Sequence, residues 1–314
     1  MSKDTIKTLP AHHESSLSPQ NVIDLFKVTF DQELYRDDRQ TLSDAIQSVK
    51  TELYNRNYAA AFDSTEKRTA YCCRWSPSRA IAYTSLFCHL DAVRDIVQSN
   101  TNSEILCIGG GAGGELVSIA SIFAPSIDFN AKYSTNKTEL QNKTLRVKLV
   151  DIADWTTEVQ RLTEKLQETW LFDHAADLDI QSINKDVLKM APEDLNLPSL
   201  NLITLLFTTN ELFMAEKASS IRFFQRLNKD CASGCHLLIV ESAGSYSHIT
   251  VGTKKFPIQY LIDTLLLGKR GQESTGAWDL VQEHDSLWYR SKDEIDYPLK
   301  VENMRFFYRL YRKK

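Results

Sequence analysis

The fold of this chain is decided by the stretch Ile105-Leu106-Cys107-Ile108-Gly109-Gly110-Gly111-Ala112-Gly113-Gly114-Glu115-Leu116. A short buried strand leads directly into five glycines among six residues, and a helix follows at once. In a parallel sheet this arrangement brings backbone N–H groups and a helix N-terminus to the carboxyl edge, where ligands bind. We therefore predict a cofactor-binding loop formed by Gly109, Gly110, Gly111 and Gly113, because a side chain there would block the close approach of a ligand.

On both sides of this loop, short apolar runs alternate with helical segments. The predicted strands are Glu104–Ile108, Leu145–Val150, Leu200–Phe207 and His236–Val240. The predicted helices between them are Glu115–Phe123, Thr156–Thr169 and Ala215–Leu227. This alternation is typical of a parallel sheet covered by helices on both faces. Near the C-terminus, Tyr297–Val301 and Phe306–Tyr311 predict a hairpin that closes one edge of the sheet.

The N-terminal hundred residues are predicted to be helical. Ser18-Pro19 and Ser76-Pro77 each combine a helix-capping residue with a first-turn proline, and an apolar stripe runs from Leu42 to Leu53. The first residues are polar and lack any such pattern. We therefore divide the chain into a flexible tail over residues 1–17, a helical region over residues 18–100 and an α/β domain over residues 101–314.

Three further segments have a distinctive composition. Asp128–Thr144 is polar and predicts a surface loop, and Gly268–Glu283 predicts a mobile segment near a site. The last ten residues, Arg305–Lys314, interleave aromatic residues with five arginines and lysines. That pattern is typical either of an RNA-stacking surface or of an edge strand whose charges discourage aggregation.

The composition excludes several classes of protein. With 314 residues, 42% of them hydrophobic and 25% charged, the chain is expected to be globular. Its longest apolar runs are far shorter than the roughly 20 residues that cross a bilayer, so we expect a soluble intracellular protein without a membrane segment. Six cysteines without a C-x-x-C pair indicate reduced thiols and no metal site. The net charge of −4 argues mildly against nucleic acid as a partner, although local basic patches could serve.

Two acids follow later strands at the same edge of the predicted sheet. Asp151 directly follows Leu145–Val150, where it would accept hydrogen bonds from the ribose hydroxyls of a cofactor. It could instead cap the helix before Trp155. Asp186, followed by Val187, is expected at the tip of a further strand, third in the sheet's sequence order and before Leu200–Phe207. There it would meet an adenine amino group or simply lie in a solvent-facing turn.

Three motifs outside the glycine loop carry a family resemblance. They are Tyr71-x-x-Arg74-Trp75-Ser76-Pro77-Ser78-Arg79-Ala80, Asn210-Glu211-Leu212-Phe213, and Tyr297-Pro298-Leu299-Lys300 with Glu302-Asn303-Met304-Arg305. In these motifs the chain resembles the fungal 25S ribosomal RNA uridine-N3 methyltransferases, over roughly residues 70–314.

The resemblance implies a Rossmann-like, seven-stranded methyltransferase sheet whose last strand is antiparallel. It implies S-adenosylmethionine as cofactor, no metal, and ribosomal RNA or a preribosome as partner, in the nucleus, nucleolus and cytoplasm. We expect a monomer. One departure from methyltransferases generally is Cys107, which stands where an acid is common two residues before the first loop glycine.

The same motifs suggest residues for the reaction. Uridine N3 carries a proton that must leave, so we expect Asn210 to hydrogen-bond the uracil edge and Glu211 to take the proton. The alternative is that Asn210 caps the next helix and Glu211 only favours its positive end. The candidates for substrate binding are Arg74, Trp75, Arg79 and Arg290, although Trp75 could equally belong to the core.

Other functions stay open at this point. A protein or small-molecule methyltransferase would suit the acidic net charge. A nicotinamide-dependent oxidoreductase is disfavoured: Gly109, Gly111 and Gly114 satisfy the dinucleotide pattern, but no ribose-binding acid stands at the usual distance of about 20 residues. A non-catalytic ribosome-assembly factor with the same fold is a third alternative.

Overall fold

The structure, a computed structural model, describes residues 2–3, 5–127, 131–135, 143–244, 248–251, 254–269, 271, 275–292 and 294–314. Its strands are β1 (Ser2–Lys3), β2 (Ser103–Ile108), β3 (Leu145–Asp151), β4 (Leu178–Asn184), β5 (Leu202–Leu206), β6 (His236–Ser242), β7 (His248–Val251), β8 (Lys254–Pro257), β9 (Trp278–Tyr289) and β10 (Met304–Lys313). Its helices are α1 (Pro19–Thr29), α2 (Asp31–Leu34), α3 (Arg39–Tyr54), α4 (Tyr58–Ala61), α5 (Thr65–Arg74), α6 (Ser76–His89), α7 (Asp91–Val97), α8 (Gly114–Phe123), α9 (Thr156–Leu166), α10 (Pro192–Leu195), α11 (Thr209–Ala215), α12 (Lys217–Asp230) and α13 (Ile258–Leu267).

The main sheet has the strand order β1-β9-β10-β6-β5-β2-β3-β4. Strands β6, β5, β2, β3 and β4 run parallel to one another, whereas β10 is antiparallel to both of its neighbours, β6 and β9. The predicted seven-stranded sheet with an antiparallel last strand is therefore confirmed. The two-residue strand β1 adds an eighth member at the β9 edge.

The sheet is buried on both faces, which explains the continuous apolar character of its central strands. In β2, Ile105 and Cys107 belong to one hydrophobic cluster, with α1, α6, α8 and α9. Leu106 and Ile108 point to the other face and belong to the second cluster, with residues of α12 and α13. Because these strands are parallel, the loops at their carboxyl ends share one edge of the sheet.

The C-terminal hairpin is built differently from the prediction. Trp278–Tyr289 pairs with Met304–Lys313, and Tyr297–Val301 is not a strand. The apolar residues of the latter segment pack against the core formed by the N-terminal helices, and the Tyr297 hydroxyl donates to the Cys73 carbonyl. The expectation of a mobile segment over 268–283 is also wrong for its last six residues, which belong to β9.

The C-terminal run is an interior strand, so its prediction as an edge strand is wrong. Strand β10 lies between β6 and β9, with Phe306, Tyr308 and Leu310 at most 1% exposed. Even the charged Arg309 is only 4% exposed and is paired with Asp285 at 2.7 Å. The aromatic residues of this run thus serve the core and not a stacking surface.

The N-terminal tail differs from the flexible segment that its composition suggested. Leu9 is 3% exposed and its N–H donates to the Trp288 carbonyl at 2.7 Å. Leu17 is also buried, and its N–H donates to the Ser121 backbone carbonyl at 2.8 Å. Two isolated leucines and edge-strand pairing therefore anchor this segment, although its polar residues show no periodic pattern.

Both predicted helix starts are present, but only one predicted cap is confirmed. Ser18 caps α1 by accepting a hydrogen bond from the N–H of Asn21 at 3.2 Å. The prediction of Ser76 as a cap is wrong: Trp75 is the cap residue of α6, and the Ser76 hydroxyl donates to the Ala112 carbonyl at 2.7 Å. The predicted helix over 215–227 is instead preceded by a separate short helix, α11, with a break at Glu216. Most of the predicted loop over 128–144 lies outside the described residues. Within the described residues, no helix is long and apolar enough to cross a bilayer.

Candidate active site

The glycine loop turns sharply from β2 into α8. Gly109 and Gly113 adopt φ angles of +74° and +79°, a region that side chains disfavour. A Cβ atom on Gly109 would collide with the Thr208 side chain, and one on Gly111 would collide with the Trp155 ring. The glycines are thus required by the protein's own packing at the loop as well, a constraint that the sequence did not predict.

Asp151 ends β3 directly beside this loop. Its carboxylate accepts hydrogen bonds from the N–H groups of Gly111 at 3.1 Å and Ala153 at 3.0 Å. Burial raises its pKa above the ordinary value. Asp151 does not cap α9, because the cap position of that helix is occupied by Trp155. Each oxygen keeps a further lone pair that could accept from a hydroxyl group.

Asn210 lies one residue inside α11, at the carboxyl end of β5. Its backbone N–H and its side-chain amide donate to the two carboxylate oxygens of Glu241, at 2.9 and 2.8 Å. Asn210 is thus not a helix cap, because Thr208 occupies that position. Glu241 belongs to β6 and is 2% exposed. Asn210, which follows β5, is therefore held by a residue of the neighbouring strand β6.

Glu211 follows Asn210 and faces the same crevice. Burial raises its pKa to about 8, and the charges of Glu241 and Asp151 contribute to the increase. Burial also raises the pKa of Glu241 to about 7. The guanidinium of Arg79 opposes both shifts. The crevice therefore holds carboxyl groups that can take or release a proton near neutral pH.

Arg79 is held at the crevice by aromatic groups. Its guanidinium carbon lies 4.5 Å from the centroid of the Phe207 ring, and it donates to the Tyr83 hydroxyl at 3.0 Å. Phe207 has a φ of +61°, a strained conformation for a residue with a side chain. This conformation occurs directly after β5, and the Phe207 ring lies against Tyr83 and Arg79.

An aromatic cluster adjoins the glycine loop. Trp155, which packs on Gly111, has Phe62 at 5.1 Å and Tyr71 at 5.9 Å between ring centroids. Trp75 joins the cluster through Tyr71 at 5.2 Å. The N-terminal helical region therefore forms one wall of the crevice.

The chain matches, over residues 26–312, the model of the family described as "Putative SAM-dependent methyltransferase". It is also similar to the 25S rRNA (uridine(2843)-N(3))-methyltransferase of Saccharomyces cerevisiae (strain ATCC 204508 / S288c). The two are 51% identical over 330 aligned positions, which cover 100% of this chain and 90% of the relative. The chain belongs to this S-adenosylmethionine-dependent methyltransferase family.

Solved methyltransferase structures are more distant. The N-methyltransferase NodS from Bradyrhizobium japonicum WM9, in complex with S-adenosyl-L-homocysteine, is 15% identical, with a TM-score of 0.39 and coverage of 73% of this chain and 87% of NodS. The CurJ carbon methyltransferase is 14% identical, with a TM-score of 0.41 and coverage of 93% and 71%. The assignment of the methyltransferase to its family rests on the sequence and not on these similarities.

The crevice of the methyltransferase suits its cofactor. Asp151 presents carboxylate lone pairs beside the loop, which leads directly into the first turn of α8. Cys107, which stands where an acid is common in methyltransferases generally, is fully buried. Within the described residues, no group of three or more His, Cys, Asp or Glu side chains is placed to hold a metal ion.

A buried acid beneath the loop was missed from the sequence. Glu115 is 3% exposed, accepts a hydrogen bond from the Thr204 hydroxyl, and has its pKa raised by burial to about 8. A Cβ on Gly110 would lie 2.7 Å from its carboxyl oxygen and 2.9 Å from the Cys107 Cβ. An acid in the first turn of a helix usually serves the helix dipole, so no sequence signal distinguished Glu115.

The remaining predicted site residues make contacts that do not include the Asn210-Glu211 pair. Arg74 donates to the Lys300 carbonyl at 2.9 Å and forms an ion pair with Glu302, so its charge is compensated there. Asp186 lies two residues past the end of β4 and pairs with Lys189 at 2.9 Å. Val187 is buried in the cluster on that face. Arg290 is exposed at the end of β9, next to Trp288.

The helical region also reaches over α11. Arg56, between α3 and α4, donates to the sulfur of Met214 at 3.4 Å. Burial raises the pKa of Tyr58, and the charges of Glu211 and Glu241 add to the increase. The segment around α4 thus lies close to α11 and to the Glu211 and Glu241 carboxyl groups.

Proposed function

We propose that this methyltransferase transfers a methyl group to N3 of a uridine in large-subunit ribosomal RNA. The observation that carries the proposal is the Asn210-Glu211 pair, which lies beside the glycine loop with its asparagine held by Glu241. Support for the substrate comes from the relative named a 25S rRNA uridine-N3 methyltransferase, which is 51% identical to the chain.

The reaction needs alignment and the removal of one proton. When bound, S-adenosylmethionine supplies an activated methyl group on a sulfonium. The enzyme must hold the uracil edge in line and keep water out. Because N3 lies on the pairing edge, the base must be unpaired or flipped out of a helix.

We assign the proton transfer to Glu211 and the orientation of the uracil to Asn210. With a pKa of about 8, Glu211 is a stronger proton acceptor than an ordinary carboxylate. The N3 proton would go to a Glu211 carboxyl oxygen, and the methyl group would pass from the sulfonium to N3, leaving a neutral thioether. Arg79 lies close enough to Glu211 for its charge to lower the pKa of that carboxyl group. From this position its positive charge would also stabilise the negative charge that develops on the uracil.

We assign cofactor binding to the loop and to the acids that follow the strands. Gly109, Gly110, Gly111 and Gly113 would approach the amino-acid portion, and Asp151 would accept from the ribose hydroxyls. Asp186 and Val187 would lie at the adenine. Trp75, in the aromatic wall, remains a candidate for contact with the substrate.

The site of action follows from this substrate. A methyltransferase of ribosomal RNA would act on free RNA or on a preribosome, in the nucleolus, the nucleus or the cytoplasm. The net charge of −4 favours, as a second candidate, a protein or small-molecule substrate for the same site.

The proposal is tested by methylation of large-subunit rRNA taken from cells that lack this protein. Incubation with the purified enzyme and labelled S-adenosylmethionine should place one 3-methyluridine, mapped by mass spectrometry of nuclease fragments. Glu211→Gln should lower the turnover strongly while S-adenosylhomocysteine binds with nearly unchanged affinity. An rRNA modification map that is the same with and without the protein would refute the substrate and direct attention to proteins. Normal turnover of the variant would remove Glu211 from the mechanism.

A further inference from the structure

Two arginines flank one tryptophan at the end of the sheet, and we call these three residues the Trp288 surface. Trp288 lies in β9 directly opposite Arg305 of β10, and Arg290 follows the end of β9. The guanidinium carbons of Arg290 and Arg305 lie 4.5 and 5.7 Å from the centroid of the Trp288 ring. The Ser286 hydroxyl accepts a hydrogen bond from Arg305 Nε at 2.8 Å, which helps to hold that side chain in place.

The Trp288 surface carries two positive charges. Arg290 and Arg305 are both exposed, and no carboxylate of the described residues lies within 4.0 Å of either guanidinium. The acids on the same strand, Glu283 and Asp285, are instead paired with the buried Arg309 at 3.1 and 2.7 Å. A local positive patch therefore exists on a chain whose net charge is −4.

This surface shares an edge and a face of the sheet with the crevice. Phe307 lies opposite Glu241, the residue that holds Asn210, and Arg305 is two residues closer to the carboxyl edge. Side chains alternate along a strand, so Arg305 and Glu241 point to the same face. With about 3.3 Å per residue and about 4.8 Å between strands, their Cα atoms are separated by about 8 Å.

We propose that the Trp288 surface binds the RNA strand that flanks the target uridine. The inference rests on the proposed RNA substrate. The guanidinium groups contact phosphate oxygens, and the exposed part of the Trp288 ring stacks on a base. Binding of this kind positions the strand without selecting its sequence.

The test compares exposed arginines of the Trp288 surface with an exposed arginine at the other end of β10. Arg290→Gln/Arg305→Gln removes both charges of the Trp288 surface. Arg312→Gln is the matched control, since Arg312 is exposed on the same strand but lies at the opposite edge of the sheet, beside His236. The probe is a fluorescein-labelled oligouridylate of about 12 nucleotides, and its affinity is measured by anisotropy over a range of NaCl concentrations.

We expect the double variant to bind this probe at least about tenfold more weakly than the wild type at low salt. The slope of log K against log salt should lose about 1.4 in magnitude, at about 0.7 for each single-strand phosphate contact. The control variant should match the wild type. Calorimetry with S-adenosylhomocysteine should give the same affinity for all three proteins, because the cofactor residues are unchanged.

Equal salt slopes for the wild type and the double variant would overturn the proposal, and so would a wild type that does not bind the probe at low salt. A loss of equal size in Arg312→Gln would also overturn it, since the effect would then reflect total charge. The rRNA methylation assay separates this failure from that of the proposed function. If the wild type methylates rRNA while the double variant binds RNA normally, only the role of the Trp288 surface is refuted.

Discussion

Replacement of Glu241 by glutamine isolates the contact that holds Asn210. The carboxylate of Glu241 accepts two hydrogen bonds from Asn210, one from the backbone N–H and one from the side-chain amide. A glutamine amide has only one oxygen, so its NH2 group would face one of these donors. Since the site is 2% exposed, water cannot readily take over the lost interaction.

The expected loss follows from the strength of such a contact. A hydrogen bond to a charged group contributes about 1.5 to 3 kcal/mol, which corresponds to a decrease in kcat/KM of about 10-fold to about 100-fold if the energy is used for positioning. S-adenosylhomocysteine should bind with an affinity within about twofold of the wild type. Asn210→Ala combined with Glu241→Gln should lose little more than either variant alone, because the two residues act as one unit.

The pH profile distinguishes this role from a general loss of stability. The negative charge of Glu241 raises the pKa of Glu211, so its removal should lower that pKa. The acidic limb of kcat/KM, which requires ionised Glu211, should then move to lower pH. The groups that influence the pKa of Glu211 or are influenced by its charge are Glu241, Asp151, Arg79, Tyr58 and Tyr71.

A matched control is Glu104→Gln, which changes a buried carboxylate near the start of β2 that forms an ion pair with Lys148. It should lower thermal stability and leave the pH profile unchanged. The reasoning is refuted if Glu241→Gln retains kcat/KM within about twofold and shows an unshifted acidic limb. A shift of the same size in the Glu104 variant would refute it as well.

Three further outcomes are expected. Gly111→Ala should destabilise the protein by about 1 to 3 kcal/mol and weaken S-adenosylhomocysteine binding, because its Cβ would displace the buried Trp155. Denaturation measures the stability and calorimetry measures the affinity; an unchanged Tm would contradict this packing. Asp151→Asn should weaken cofactor binding about tenfold or more, since one amide oxygen replaces two carboxylate oxygens, while equal affinity by calorimetry would exclude the ribose contact. The raised pKa of Glu115, about 8 in the folded protein against 4.5 for a free group, means that the fold holds this proton more tightly; its stabilising contribution is complete below about pH 4.5 and is lost as the pH rises through about 8. Thermal melts should therefore show the wild type losing more stability than Glu115→Gln between about pH 6 and pH 9, and parallel curves would contradict the assignment.

The elements with a strong local signal were predictable from the sequence. The run from Ile105 to Leu116 specified strand, loop and helix because apolar burial, glycine backbone freedom and helix initiation are all encoded within about twelve residues. The cap at Ser18 and the helix start at Ser76 are local in the same sense. Asp151 was found because an acid after a buried strand lies at the carboxyl edge by geometry alone.

The elements that depend on distant partners were not predictable in this way. Tyr297–Val301 has the apolar content of a strand, but it packs against the N-terminal helices while Trp278–Tyr289 takes the place beside β10. The tail around Leu9 is ordered by pairing with an edge strand that lies nearly 280 residues away in the chain. In both cases competition between distant segments for the same surface decided the outcome.

The sequence by itself determined the parallel α/β architecture, the glycine loop and the acid beside it, because each follows from periodicity and backbone preference within a short window. Only the tertiary structure decided that Glu241, 31 residues after Asn210, holds that asparagine, and that Glu115 lies buried beneath the loop. The physical reason is that strand order sets which side chains become neighbours. Burial among those neighbours then raises the pKa values of the carboxyl groups, and no local pattern records that environment.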